Sequence, residues 1–254
     1  MNSLLKLLIP ISLRPYLHHA LNFFYGLKID DRKSYVESVK DKCGLEVGGP
    51  SPLFKSLLPI YQSLKTLSFA NFSNETIWEG KLSHDVNYHK NKLGKQYITE
   101  ATDLSQFADN HFDFIISSNC LEHVANPLKA IFEWKRVGSG NIILVLPSKN
   151  NNFDHRRPVT TFDHLLEDYN NDIDEDDLQA LDEILALHDL SRDKPAGSYE
   201  EFKKRSLNNY KNRCLHHHVF DPFLVKQIAS FAGLEITTQD IVPGNYIFLL
   251  RTSN

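Results

Sequence analysis

The sequence predicts an α/β fold: a mostly parallel sheet covered on both faces, with an antiparallel last strand and an inserted, mainly helical cap. Three observations predict it. Short, nearly continuous apolar runs alternate with helical patterns through the middle of the chain, as strands buried on both faces require. The alternation lapses after Pro147, for about 70 residues of polar, charged and His-rich sequence. It then resumes with a helix and two strands separated by Pro243 and Gly244, a turn signal that sends the last strand back antiparallel.

In chain order, residues 45–49 read as a short strand running into a glycine turn. Ser51 follows as an N-cap and Pro52 as the first helical residue, positions those two residue types favour. Leu53, Phe54, Leu57 and Leu58 give this helix its apolar side, and Pro59 limits its length. Residues 67–70 form a second strand, and residues 97–99 a third that ends near Glu100 and Asp103. Residues 112–118 are a β-rich run after the turn at Asp109 and Asn110. A helix over 127–136 is ended by Gly138, Ser139 and Gly140; residues 141–146 are then a buried strand that Pro147 stops. The final elements are a helix over 222–232 with Gly233 as C-cap, and strands at 235–238 and 246–250.

Composition bounds the function. The 254 residues carry 28 Lys and Arg against 32 Asp and Glu, a net charge of −4, which disfavours a nucleic-acid partner because phosphate binding needs a concentrated basic surface. With 11 Gly, 11 Pro and 3 Cys the chain is neither collagen-like nor a disulfide scaffold. Cys43, Cys120 and Cys214 are odd in number and far apart, which points to a reducing interior and a cytoplasmic location.

The expected organisation is a helical segment at 1–40, the sheet domain at 41–147 and 216–254, and the cap at 148–215. Residues 1–29 hold no acid, and their apolar run, broken by Pro10 and Pro15, is shorter than the ~20 residues a spanning helix needs. Leu13, Tyr16, Leu17, Ala20, Leu21 and Phe24 recur at helical spacing, as in an amphipathic helix packed on the main domain or docked at a membrane surface. Between Glu167 and Glu183 the bias reverses, with acids and no Lys or Arg; this reads as the solvated face of a helix capped by Asp174.

Ligands of open α/β sheets bind at the carboxyl ends of the strands. Gly48 and Gly49 allow close backbone approach there, and the helix after Ser51 offers free N–H groups. The run is not G-x-G-x-x-G, so a nicotinamide cofactor is disfavoured. Asn71 follows the second strand, Asp103 the third, and residues 118–123 (Ser-Asn-Cys-Leu-Glu-His) the fourth.

With these strand ends, the stretches at 100–104, 112–118 and 121–123, continued at 126–130 and 133–137, resemble the class I S-adenosylmethionine-dependent methyltransferases. The likeness covers roughly 42–150 and 216–254, and is to the small-molecule branch found with sugar and surface-polysaccharide genes. It implies a Rossmann-like sheet and S-adenosyl-L-methionine as cofactor. Glu46, Gly48, Gly49 and Ser51 would then form the loop around the methionine moiety, and Asn71 would face the ribose hydroxyls. Asp103 and the Leu104 backbone would address the adenine, with Ser118 and Asn119 on the sulfonium side. Two departures stand out: Pro50 removes a backbone donor from the loop, and Asn71 replaces the family's ribose-binding acid.

An alcohol nucleophile needs a proton acceptor, for which His123, His155 and His217 are candidates. Arg156 and Arg157 could hold an anionic group of the acceptor, or pair with the acidic stretch. On an extended strand His216 and His218 would share one side and face substrate, with His217 on the other. With His155, His188 or Asp221 they could chelate a divalent ion, but adjacent ligands lack the spacing of zinc motifs and no metal is expected. The expected activity is O-methylation of a sugar or other small polar acceptor in glycan assembly. The alternative is a non-catalytic scaffold that binds a protein or membrane partner through residues 1–29.

Overall fold

The computed structural model describes residues 29–78 and 80–252, so the amphipathic helix expected at 13–24 and its membrane contact lie outside the described residues. Strand β1 (Cys43–Val47) lies between β2 (Thr66–Asn71) and β7 (Phe112–Ser118), parallel to both. Outside β2 comes β6 (Lys92–Ile98), parallel, and then β5 (Asp85–His89), antiparallel. On the other side β8 (Gly138–Pro147) runs parallel to β7, and β10 (Asn245–Thr252) is antiparallel to both β8 and β9 (Leu234–Val242). The eight-stranded order is β5-β6-β2-β1-β7-β8-β10-β9; β3 (Glu75–Thr76) and β4 (Gly80–Lys81) pair separately. The chain winds outward from β1 to β6 and then returns to β7, so the order reverses between β1 and β7. A crevice opens beyond the carboxyl ends of the strands at such a switch point.

Both faces of the sheet are buried. Phe114, Ile116, Ile143 and Val145 pack with Tyr35 and Val39 of α1 (Arg32–Val39) and Phe54 of α2 (Pro52–Ser56). The alternate positions Ile115, Ile142, Leu144 and Leu146 pack with Leu128, Ile131 and Trp134 of α3 (Pro127–Val137) and with Leu224 and Ile228 of α8 (Pro222–Phe231). Period-2 alternation with neither set exposed is why these strands read as continuous apolar runs.

Three expectations change. The third strand is longer than residues 97–99 and forms a hairpin with β5, in which Val86 and Tyr88 point inward between exposed neighbours. A one-faced edge strand carries too few apolar residues to stand out in sequence. The strand expected at 141–146 is longer: Gly138 ends α3 as expected, and β8 begins at that same residue. The acidic stretch is not one helix capped by Asp174; α4 (Phe162–Asn170) and α5 (Leu181–Leu187) are separated by turns, and Ala180 precedes α5 without a side-chain cap. Nor is the stretch wholly solvated, because Asp168 and Glu175 are buried. The rest of the 148–215 region, including α6 (Tyr199–Leu207) and α7 (Asn209–Asn212), gathers around a small apolar cluster of Ile184, Ala196, Phe202 and Leu215.

Candidate active site

A cavity of about 440 Å³ lies at the switch point, walled by Gly48, Ser51, Asn71, Glu100, Ser118, Asn119 and His123, among others. Its floor depends on glycine. Gly48 has φ +81°, and a Cβ there would stand 2.6 Å from the Cys120 Sγ and 2.7 Å from the Cys120 Cβ. Only a residue without a side chain lets the exits of β1 and β7 approach this closely.

Glu46 is fully buried behind the loop rather than in the cavity wall. Its Oε1 accepts from the Ser51 N–H at 2.9 Å and its Oε2 from the Tyr61 hydroxyl at 2.7 Å, so its carboxylate braces the turn. Gly49 sits against that carboxylate, where a Cβ would come within 2.2 Å of its carbon. Ser51 lines the cavity and caps α2 as expected, its hydroxyl accepting from the Leu53 N–H. Asn71 ends β2 in the wall, and its amide donates to the Gly49 carbonyl at 2.7 Å. At the end of β7 the Ser118 hydroxyl is buried without a hydrogen-bond partner among the described residues. Asn119 turns the chain there with φ +50°.

Asp103 and Leu104 are not in this wall. The Leu104 N–H donates to Glu133 Oε2 at 2.9 Å, and its side chain is in the core. Asp103 accepts from the Ser105 N–H and is held below the usual carboxylate range by Ser105; it faces a separate groove beside Lys129 and Arg136. The chain past β6 has curled over α3 by that point. The residues immediately after the strand, Thr99, Glu100 and Ala101, meet the cavity instead. Glu100 was legible as the first acid beyond the strand.

Of the three candidate bases, only His123 reaches the cavity. Its Nδ1 lies 2.9 Å from the Leu215 carbonyl, which can only accept, so the ring lone pair is on Nε2. Burial, reinforced by His216, holds its pKa well below the usual imidazole value and keeps the ring neutral. Trp78 stacks on it at 6.1 Å. His155 is instead bonded to Asp189 at 2.9 Å, away from the cavity. His217 is buried, accepts from the Asn209 amide at 3.0 Å, and is pushed down to about 4 by burial.

The four expected substrate-binding residues are also absent from the wall. Arg156 is mostly exposed beside Asp189. Arg157 is 2% exposed and is spent on Glu183, Asp154 and the carbonyls of His216 and His217, so it fastens the cap to the chain instead of binding a ligand. Residues 213–220 are not a strand, so the histidines do not alternate: His216 is bonded to Asp154 at 2.5 Å and His218 to the Ala125 carbonyl at 3.0 Å.

Residues 77–146 match a family model described as a methyltransferase domain. Together with the order of the sheet, that match shows a Rossmann-like fold of the methyltransferase kind. Among solved structures it is similar to an S-adenosylmethionine-dependent methyltransferase from Mesorhizobium loti, with TM-score 0.51 and 9% identity over 87% of this chain and 95% of that one. It is also similar to a chain in the complex between the Haloferax volcanii Trm112 methyltransferase activator and the putative methyltransferase, with TM-score 0.50 and 10% identity over 87% and 88%. At such identities the likeness is one of fold. No curated protein matches the chain.

The methyltransferase domain and the inserted segment meet at a residue that sequence reasoning missed. Arg213, with φ +52°, reaches the cavity and lies 2.8 Å from Glu100 Oε1 and 2.9 Å from Glu175 Oε2. Its guanidinium also stands over the rings of Phe72 and Tyr210, at 5.3 and 5.0 Å. Nothing in the spacing of Glu100, Glu175 and Arg213 links them before the chain folds.

Glu175 is pushed up to about 7 from 4.5, chiefly by burial, which outweighs the attraction of Arg213. Between those pH values the folded state binds a proton that the unfolded state has lost, so this group makes stability fall as pH rises. The fall is expected in melting temperature across pH 4.5–7, and Glu175→Gln is expected to flatten it. Parallel profiles for the two proteins over that window contradict the assignment.

Proposed function

We propose that the chain is an S-adenosylmethionine-dependent methyltransferase that methylates an oxygen of a sugar or another small polar acceptor in glycan assembly. The observation that carries this reading is the cavity itself. Its volume of about 440 Å³ lies in the range of small-molecule sites, and it sits where the strand order reverses. Its residues fit the cofactor. Gly48 leaves room that a Cβ would fill, and the buried Ser118 hydroxyl lacks a partner that a polar ligand can supply. Gly48, Ser51, Asn71, Glu100, Ser118 and Asn119 would hold it.

When bound, S-adenosylmethionine supplies an electrophilic methyl group. The chain contributes position and exclusion of water, which dominate an in-line displacement. Phe72 and Trp78 supply apolar wall, while His123, Glu175 and Arg213 make a polar stretch suited to a hydroxylated acceptor. The acceptor hydroxyl sheds its proton beside His123, the only imidazole in the wall among the described residues.

Calorimetric titration with S-adenosylmethionine is expected to give saturable heat at one site together with a rise in melting temperature. Absence of both overturns the reading. Ser118→Ala separates a ligand-directed hydroxyl from a structural one. Its Oγ has no partner to lose among the described residues, so stability is expected to be unchanged, while affinity falls by roughly 3- to 10-fold, the worth of one hydrogen bond. Equal affinity in the two proteins removes Ser118 from the cofactor site.

A further inference from the structure

We propose that Glu122, His123 and His216 form a binding site for a divalent first-row transition metal, of the Zn²⁺ kind, at the acceptor end of the cavity. One ligand-capable atom from each lies within 4.8 Å of the others. Two atoms each about 2.1 Å from one ion are at most about 4.2 Å apart. Glu122 Oε1 and His123 Nε2, at 4.0 Å, already meet that limit, and a small shift of the His216 ring completes the set.

The tautomers are arranged for it. The Nδ1 of His123 faces the Leu215 carbonyl at 2.9 Å, and the Nδ1 of His216 faces the Asp154 carboxylate at 2.5 Å. When each ring binds an ion with Nδ1 as its donor, the lone pair that meets the ion is on Nε2, and His216 must give up its Nε2 proton to do so. An acceptor behind each imidazole is the outer shell that orients histidine ligands and raises their basicity. Asp154 is in turn held by Arg157, which also donates to the His216 and His217 carbonyls.

Glu122 supplies an independent indication. It is 1% exposed, and its Oε2 has no hydrogen-bond partner among the described residues. An unpartnered buried carboxylate oxygen is costly, and a cation beside it removes that cost. Two imidazoles and one carboxylate leave coordination positions open, and that donor set suits Zn²⁺, Fe²⁺ or Mn²⁺.

The role of the ion rests on the cavity being the methyl-transfer site. Because His123 is in the wall, an ion on its Nε2 can take an acceptor hydroxyl into an open position. Coordination lowers the pKa of that O–H, so its proton passes to solvent and the oxygen keeps the electron pair it needs as nucleophile. His123 then acts as a ligand, with no need to take up the proton itself.

The test uses full-length protein stripped with a chelator and titrated with Co²⁺ as a spectroscopic probe and with Zn²⁺ by calorimetry. One ion per chain is expected, with visible d–d bands for Co²⁺. Glu122→Gln and His216→Asn, each checked for an intact thermal transition, are expected to weaken binding at least tenfold. His164→Ala, in the separate His164, Asp168 and His218 group, is expected to leave affinity and spectrum unchanged. Failure of the stripped protein to bind either ion overturns the site, as does loss of binding in His164→Ala but not in Glu122→Gln and His216→Asn. S-adenosylmethionine is titrated into the same stripped protein: metal binding without cofactor binding sustains the site and overturns the methyl-transfer reading on which its role rests, and cofactor binding without metal binding overturns the site and leaves that reading standing.

Discussion

Gly48→Ala is expected to lower the affinity for S-adenosylmethionine at least 100-fold. Two penalties act together. The residue has φ +81°, where a Cβ costs about 1 kcal/mol, and that Cβ would lie 2.6 Å from the Cys120 Sγ. Carbon and sulfur atoms pack near 3.5–4.0 Å, so the exits of β1 and β7 must separate by about 1 Å. The floor of the cavity then moves relative to Ser118 and Asn119 on the opposite exit, and misplacement of that size is enough to cost ~100-fold in a tight site. The double variant Gly48→Ala/Cys120→Gly removes both offending side-chain atoms while keeping the φ penalty, so most of the affinity is expected to return. Calorimetry decides: a single variant that binds within threefold of the parent, or a double variant no better than the single, contradicts this account.

Above pH 7, where Glu175 is ionised, Arg213→Met is expected to destabilise the protein by up to about 3 kcal/mol, the cost of a buried charge left without its partner, and by less at lower pH, where the carboxyl takes up a proton. Glu175 loses its cation in a site where the Ala125 N–H is its one side-chain hydrogen bond among the described residues, and Glu100 loses the same partner. The aliphatic stem is retained, so packing on Phe72 and Tyr210 changes little. Denaturant unfolding gives the size of the loss. Adding Glu175→Gln to Arg213→Met is expected to recover more than half of it, because the damage is the stranded carboxylate. A loss below about 1 kcal/mol, or no recovery, means that the three side chains do not act as a unit.

The strands of the sheet centre were legible because each is buried on both sides. Residues 112–118, with four apolar residues in a row of seven, match β7 residue for residue. Ser51 and Pro52 likewise announced a helix start, and the cap forms on Leu53. The β5–β6 hairpin was not legible, because only one of its faces is covered and its lysines mask the pattern. The site divides in the same way. Gly48, Ser51, Asn71, Ser118, Asn119 and His123 were found from strand ends and all meet the cavity, whereas Asp103 and Leu104, a few residues farther on, are carried away from it.

The histidines and arginines of the insertion went astray for a different reason. Their residue types suited catalysis and anion binding, but a charged side chain is available to a ligand only if the protein has not already used it. Arg157 gives four of its five N–H donors to two carboxylates and two carbonyls inside the fold, and His155 and His217 are held by Asp189 and Asn209.

By itself the sequence determined the layered sheet and the glycine turn at the exit of its first strand, since local periodicity and backbone sterics act within a few residues. The tertiary structure decided which polar groups are free. Pairing of Arg213 with Glu100 and Glu175, and convergence of His216 on Glu122 and His123, joins residues about 40 to 110 positions apart, and a contact over that distance exists only once the chain has closed around it.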